Sequence, residues 1–261
     1  MEVYDISYLS LLACFLLLLI PLAISYYFKP EFIRETIISV SRMVVQLAFV
    51  GVFLTLLFEL NNSFVNLLWL LVMVLMASHS TISDVKLNLK KLMLPTVISF
   101  LVGNFLVLFY FNMFVINLEN LFDARFLIPI FGMFLGNSLR SNIVSIDSFY
   151  EIMKRNENRY HYSLSLGAKK HEAILPYAKK SFEITLKPSI ASMSTIGIVA
   201  LPGMMTGQII AGSSPILAVK YQIAIMIGIY VSTMMTVVIG IFMTIHSSFD
   251  NYGILKKDIF R

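Results

Sequence analysis

The sequence has little charge, and this deficit excludes most classes of soluble protein. Charged residues make up 13% of the 261 residues, whereas soluble domains carry about 25%. Hydrophobic residues make up 58%, and the mean hydropathy is +0.81. The polar residues are too few to cover a folded core of this length. A water-soluble enzyme is therefore excluded, and a polytopic membrane protein is expected.

Cysteine, glycine and proline are also scarce. The single cysteine, Cys14, lies in an apolar run and cannot form an internal disulfide, which excludes a disulfide-stabilised scaffold. The 12 glycines and 8 prolines are too few for collagen-like repeats or extensive disorder. Residues 1–7 hold two acids and no Lys or Arg, so we interpret the first apolar run as a retained span rather than a cleaved signal.

The sequence is rich in apolar runs that are long enough to cross a bilayer. About 20 apolar residues span the hydrocarbon core, and these runs are continuous rather than alternating, which predicts helices. We predict an all-α membrane protein with seven transmembrane helices in one domain, residues 1–261. The predicted spans cover residues 6–28, 36–58, 60–83, 92–118, 126–146, 188–212 and 221–245.

The basic residues are distributed unevenly among the predicted loops. Four alternate segments hold 16 Lys and Arg, whereas the loops on the other side hold two, Arg125 and Lys220. By the positive-inside rule the first set is cytoplasmic, so the N-terminus is expected outside the cell membrane and the C-terminus inside. This placement also explains the basic pI without nucleic-acid binding. The four basic segments are 29–35, 84–91, 147–187 and 246–261.

The segment 147–187 is the one sizeable soluble stretch. Gly167 separates two helix-like parts, and Pro176 is expected to break or kink the second. The pattern predicts a short amphipathic helix, a glycine turn and a further helix. Such an element fits a groove on a partner protein or lies on anionic lipid, and the sequence leaves both interpretations open.

Arg42 and Arg140 are the only charges within predicted spans. Each is expected roughly 9 Å from the cytoplasmic side, where an arginine can anchor the helix by reaching water or can line a cavity. Gln46 shares a helix face with Arg42, and Asn137 lies one turn before Arg140. We predict that these four residues face a shared cavity, and that the segment 202–208 gates it.

Two glycine pairs have the small-xxx-small spacing of packed membrane helices. They are Gly132 with Gly136 and Gly203 with Gly207. The second pair also permits a hinge, because Pro202 removes one hydrogen bond from the helix.

Two methionines lie in the same predicted span, at Met204 and Met205, beside Gln208. Their thioethers suit a soft-metal path or ordinary apolar packing. His79, near a predicted helix end, is interpreted as a polar residue that caps the helix or as a metal ligand. The sequence has no Cys/His cluster of the kind that defines a metal site, and none is predicted.

Two motifs carry a family resemblance. The run L-G-A-x-x-x-E-A, Leu166 to Ala173, is similar to the cytoplasmic coupling loop of ABC transporter permeases. The run G-I-V-A-L-P-G-M-M-T-G-Q-I-I-A-G, residues 197–212, resembles the Fet-type iron-export ABC permease family, to which plant aluminium-tolerance subunits of the STAR type also belong. The spacing of Arg42 and Gln46 and the pair Gly136-Asn137 match the same pattern.

The resemblance implies a permease subunit of an ATP-driven transporter that exports a metal ion or a metal-linked solute. It implies a homodimer with two separate ATP-binding subunits, which bind ATP and magnesium, so no cofactor is expected in this chain. It also assigns ATPase coupling to a group of residues in the segment 147–187. These residues are Leu166, Gly167, Ala168, Glu172, Ala173 and Pro176.

The sequence lacks the motifs with which a transporter binds ATP or relays protons itself, so its energy is expected to come from another subunit. The sequence has no G-x-x-x-x-G-K-[ST] phosphate loop and no carboxylate deep in a predicted span, which leaves few candidates for a proton relay. The first rival is a secondary transporter, which needs an intramembrane ion site. The second is a seven-helix enzyme or receptor, which needs clustered acids or histidines, or a large outer surface.

Overall fold

The computed structural model describes residues 7–29, 31–250 and 253–259. The predicted start of the first span at Ile6 and the last two residues lie outside the described residues. Within the described part the chain is almost wholly helical, and its β-type contacts are two isolated bridges, Ile196 with Ala200 and Phe249 with Leu255. The prediction of an all-α polytopic membrane protein is confirmed.

The described part contains ten α-helices. A π-helical turn, Phe111–Val115, extends the fifth helix, and a 3-10 turn, Lys257–Ile259, lies near the end of the chain. The helices are α1 (Tyr8–Leu16), α2 (Leu19–Phe28), α3 (Glu31–Leu60), α4 (Ser63–Asp84), α5 (Leu89–Tyr110), α6 (Ala124–Arg155), α7 (Glu157–Ser165), α8 (Lys170–Thr195), α9 (Gly203–Ile210) and α10 (Pro215–Ser248).

Polar side chains begin several of these helices. Asn62 Oδ1 accepts from Phe64 N at 2.9 Å, and Asn88 Oδ1 accepts from Lys90 N at 3.1 Å. Ser214 Oγ accepts from Leu217 N at 3.3 Å and is followed by a proline at the first helical position. These side chains satisfy amide groups that have no partner inside the helix.

The chain divides into two compact units. The first comprises residues 1–61 with 210–212, and the second comprises residues 62–209 and 213–261. In the first unit α2 contacts α3, but α3 buries only Leu57 and α2 buries no residue. In the second unit α10 packs against α5 and α6, α4 packs against the same two helices, and α8 packs mainly against α6.

Among the described residues, five segments are long and apolar enough to cross a membrane, so the predicted count of seven is not confirmed. α6 is long enough to span a membrane but is not one of the five segments, and its second half carries charged residues such as Asp147 and Glu151. The predicted span 188–212 is not one helix, because α8 ends at Thr195 and α9 is only eight residues long. The five segments are Leu9–Phe28, Glu31–Leu60, Ser63–Asp84, Leu89–Val115 and Pro215–Ser248.

The segment 147–187 is helical for most of its length. It contains the end of α6, all of α7, a turn and the larger part of α8. The predicted break at Pro176 is wrong, because α8 continues through both Pro176 and Pro188. Each proline removes one backbone hydrogen bond, and the buried residues of α8, such as Ala173 and Tyr177, hold the helix against its neighbours despite this loss.

Candidate functional site

A cavity of about 230 Å³ lies between three helices of the second unit. α6 contributes Asn137 and Arg140, so the structure brings two of the predicted pathway residues to one site. The remaining lining comes from α6, α8 and α10. These residues are Ser141, Pro188, Ser189, Ser192, Met193, Met226, Ile229 and Tyr230.

The cavity lies well inside the length of α10. Met226 and Tyr230 are about 20 Å from the start of this helix and about 30 Å from its end, at 1.5 Å per residue. A polar cavity at that position is far from both ends of an apolar helix. Membrane transporters bind their substrates at comparable depth, between helices near the bilayer midplane.

The side chains of the cavity are rich in free donors. Asn137 Nδ2 donates to Met133 O at 2.8 Å, which leaves its second N–H available. Among the residues that the structure describes, the Arg140 guanidinium forms no ion pair, and Ser189 and Ser192 have no side-chain hydrogen bond. No carboxylate lines the cavity within the same part of the chain. The site therefore offers one cation and several hydroxyl groups without an opposing charge.

A seam of buried polar side chains runs beside the cavity and joins α6 to its neighbours. Ser138 Oγ donates to Asn104 Oδ1 of α5 at 3.1 Å. Asn142 Nδ2 donates to Thr236 Oγ1 of α10 at 3.0 Å. Ser181 Oγ of α8 donates to the backbone oxygen of Ser145 at 2.6 Å. We refer to these contacts as the polar seam, and they fix α6 against three helices.

The polar seam was not predicted from the sequence, although the spacing of polar residues on α6 indicates it. Ser138, Asn142 and Ser145 recur at helical spacing on α6, and all three are fully buried. Asn137 and Arg140 lie on the adjacent, more open face. A helix with two polar faces in an apolar sequence indicates one face for packing and one for a cavity.

Gly103, Gly228 and Gly240 lie where helices of the second unit approach each other closely. A Cβ atom at Gly103 would lie 2.5 Å from Thr236 Cγ2, and one at Gly228 would lie 2.5 Å from the Phe134 ring. One at Gly240 would lie 2.7 Å from Asn142 Oδ1. Only glycine permits these approaches.

The glycine pairs singled out by spacing have more room. A Cβ atom at Gly132 would meet Met73 at 3.5 Å, in ordinary contact, and one at Gly136 would meet no atom within 4 Å. Gly203 and Gly207 are equally open. Their roles in packing or bending stay predictions.

The other predicted pathway residues lie elsewhere. Arg42 and Gln46 are exposed residues of α3 in the first unit, so a cavity shared with Asn137 and Arg140 remains a prediction. In α9, Met204 and Met205 are half-buried. Gln208 Oε1 is buried without a hydrogen-bond partner in the described part of the chain. α9 begins after Pro202, whose carbonyl accepts from Thr206 Oγ1 at 3.1 Å.

The predicted coupling residues form a turn and the first turns of α8. Gly167 adopts φ +92°, a left-handed conformation that favours glycine. Leu166 beside it is 70% exposed. Glu172 Oε2 accepts from Lys169 N at 2.8 Å and so caps α8. Ala168 is half-buried, Ala173 is buried and Pro176 is exposed.

The described C-terminal residues 249–250 and 253–259, here called the C-terminal strap, connect this turn to α5 and α10. Tyr160 of α7 is buried and donates to Gly253 O at 2.6 Å. Lys170 Nζ donates to Asp250 O at 3.3 Å. At the start of α5, Asn88 N donates to Ile259 O at 2.8 Å, and Lys91 forms an ion pair with Asp258. Three of the predicted basic segments thus meet at one end of the second unit.

Burial and hydrogen bonding shift the pKa values of three groups on α7 and α8. Burial raises the pKa of Tyr160 to about 12, with Asp250 and Tyr177 acting in the same direction. Burial also lowers the pKa of Lys170, where Lys256 adds to the effect and Asp250 opposes it. Hydrogen bonds from Lys187 and Lys180 lower the pKa of Glu183 to about 2. Tyr160 therefore stays a neutral donor, and Glu183 stays charged at neutral pH.

These features define a multi-pass, all-α membrane protein. The chain belongs to the uncharacterised protein family UPF0014, whose pattern it matches over residues 8–249. It is 31% identical to the UPF0014 membrane protein YjkA of Bacillus subtilis over 97% of this chain and 99% of that protein. It is 32% identical to Protein ALUMINUM SENSITIVE 3 of Arabidopsis thaliana, over 82% and 77% of the two chains.

A third relative has a name that states a function. The Probable iron export permease protein FetB of Escherichia coli is 27% identical over 94% of this chain and 93% of that protein. No solved structure matches the chain. The family predicted from the two sequence motifs is confirmed.

Proposed function

We propose that this chain is the membrane-spanning permease subunit of an ATP-driven ABC transporter that exports a metal ion, iron in particular, or a small metal-linked solute. The observation that carries the proposal is the exposed turn at Leu166 and Gly167, within the L-G-A-x-x-x-E-A run, at the basic end of the second unit. The FetB relative supports the iron cargo through its name and its similarity along nearly the whole chain.

The proposed partner is a separate ATP-binding subunit, which binds ATP and magnesium. An exposed apolar residue on a short helical turn suits insertion into a groove of a partner protein. We expect a homodimer of this chain with two such subunits, in the cell membrane, with the N-terminus outside and the C-terminus in the cytoplasm. The strap and the polar seam would then carry movement of the turn to α5, α6 and α10.

The test is co-purification of this chain with a separate ABC ATP-binding subunit from the same organism. Leu166→Glu should weaken the association at least tenfold, because a charge replaces an exposed apolar contact. Leu217→Glu is the matched control, since Leu217 is also exposed but lies at the opposite end of the second unit, at the start of α10.

The cargo is tested in vesicles that contain both subunits. ATP-dependent movement of iron, lost in Leu166→Glu and kept in Leu217→Glu, is the expected result. Equal ATPase binding by both variants would contradict the docking site. Iron transport that needs no ATP-binding subunit would contradict the ABC assignment and favour a secondary transporter.

A further inference from the structure

The cavity around Arg140 has a chemical character that suggests which part of a solute it binds. It contains one guanidinium group, three serines, one tyrosine and one asparagine amide, and in the described part of the chain no acid lines it. A bare hard cation needs carboxylate or carbonyl oxygens and is repelled by arginine. A carboxylate or phosphate group matches the planar fork of arginine and accepts from hydroxyl donors.

No acidic side chain near Arg140 in the described part of the chain pairs with it, which argues against a purely structural role. Its neighbours Asp147 and Glu151 lie about 10 Å or more toward the end of α6, at 1.5 Å per residue, and neither pairs with it. The acid of α8 closest to the cavity in sequence, Glu183, is already paired with Lys180 and Lys187. The charge of Arg140 is therefore available to a ligand.

The helices around the cavity are held in place by contacts that do not use its donors. Asn142, Ser138 and Ser181 form the polar seam on the adjacent face, while Ser189 and Ser192 remain without side-chain partners among the described residues. A packed seam beside a set of unused donors is the arrangement expected of a preformed binding site, since the donors need no rearrangement to reach a ligand.

We propose that the cavity between α6, α8 and α10 is an oxyanion site, in which Arg140 binds a carboxylate or phosphate group of the transported solute. This inference rests on the proposed transport function and specifies its cargo. The oxyanion has two possible sources, which are a free organic or inorganic anion and the ligand shell of a metal chelate. Where the source is a chelate, the metal crosses with its charge covered by anionic ligands.

The test measures binding to the full-length chain in a phosphate-free, non-ionic detergent, so that lipid headgroups do not fill the site. The probes are citrate, iron(III) citrate, inorganic phosphate and ferrous iron alone. At least one of the three anionic probes should bind, and ferrous iron should not compete for the site. Tighter binding of iron(III) citrate than of citrate would identify the chelate as the source, and equal binding would identify the free anion.

Three variants assign the binding to this cavity. Arg140→Gln should weaken anion binding at least about tenfold, and Arg140→Lys should weaken it severalfold, because lysine keeps the charge but not the fork. Ser192→Asp places an acid at an exposed lining position and should weaken anion binding as much as Arg140→Gln does. Because this variant keeps Arg140, it tests the cavity even if the arginine variants misfold. Arg125→Gln, at the start of α6 and outside the cavity, is the matched control and should bind normally.

The proposal is overturned if none of the three anions binds, or if Arg140→Gln and Ser192→Asp both bind normally. This assay contains no ATP-binding subunit. Loss of ATPase docking with intact anion binding would therefore refute only the proposed function. Intact docking without anion binding would refute only this inference.

Discussion

The apolar spans of the two units are alike in hydropathy but differ widely in how much of their surface is buried. α3 in the first unit has the same mean hydropathy as the spans formed by α5 and α10 in the second. Only 6% of the most apolar stretch of α3 is buried, against 56% and 44% for the other two. Overall hydropathy therefore predicts which segments enter a membrane, but not which of them pack against their own chain.

The difference comes from small and polar residues. The second unit has buried amide and hydroxyl groups that pair between helices, and glycines that let the helices approach. Because lipid is as apolar as leucine, apolar side chains alone do not drive helices together in a bilayer, whereas hydrogen bonds and close packing do. α3 has mostly large apolar residues on all sides, which suit contact with lipid or with another subunit.

The largest expected difference between the units comes from adding one methyl group to a glycine of each. Gly103→Ala should destabilise the protein by about 1–3 kcal/mol, since the new Cβ would lie 2.5 Å from Thr236 Cγ2. Gly51→Ala in α3 meets no atom within 4 Å. It should be neutral or stabilising by up to about 1 kcal/mol, because alanine favours the helix.

Unfolding in mixed micelles measures both glycine variants. Circular dichroism follows the whole chain, and the fluorescence of Trp69, the single tryptophan, follows α4 of the second unit. Equal effects of the two substitutions would contradict the distinction between the units.

A second test removes one amide from each unit. Asn142→Leu takes away the hydrogen bond to Thr236 and should cost about 1 kcal/mol of unfolding free energy, as for other buried polar contacts in membranes. Gln46→Leu in α3 removes an exposed amide and should leave the free energy within about 0.5 kcal/mol of wild type. A loss at Gln46 as large as that at Asn142 would mean that α3 has a polar contact of comparable strength.

A third test sharpens the comparison within the second unit, at the strap. Tyr160→Phe removes the hydrogen bond to Gly253 O and should destabilise the strap locally by about 1 kcal/mol. Tyr162→Phe is the control, because Tyr162 is 65% exposed. Hydrogen exchange of residues 253–259 should rise in the first variant only. Unchanged exchange in Tyr160→Phe would show that apolar contacts alone hold the strap.

The smallest expected effect concerns pH. The hydrogen bond from Lys91 lowers the pKa of Asp258, so the pair stabilises the strap above the ordinary carboxyl pKa of 3.8 and this contribution is lost as the pH falls through the lower, folded-state value. Asp258→Asn should raise hydrogen exchange slightly at pH 7, and the difference from wild type should disappear under strongly acidic conditions. A difference that grows on acidification would contradict the ion pair. Glu119→Gln, in an exposed connection, is the control.

Several features of the fold could be predicted from local patterns. Continuous apolar runs indicate α3, α4, α5 and α10, because a spanning helix needs a fixed number of apolar residues. The turn at Gly167 follows from a glycine between two helix-forming stretches, and in the structure this glycine has a left-handed conformation. Asn137 and Arg140 stand out because polar groups in apolar helices are costly, and both line one cavity.

Other features depended on contacts between distant residues. The interrupted span at 188–212 looks continuous by hydropathy, yet the chain leaves the helix at Thr195 and resumes at Gly203. α8 continues through Pro176 because its buried face packs on α6. The strap joins Asn88 to Ile259, and no local pattern connects residues so far apart in the sequence.

The sequence by itself determined that this is an all-α membrane protein, which segments are apolar enough to span, and to which family it belongs, because these properties depend on composition and short motifs. The tertiary structure decided which apolar helices bury a face, which glycines are tight, and which polar groups are paired. Asn142 and Arg140 illustrate the reason: they lie two residues apart on α6, but one faces Thr236 and the other a cavity with free donors. That difference is set by the neighbouring helices and not by the residues themselves.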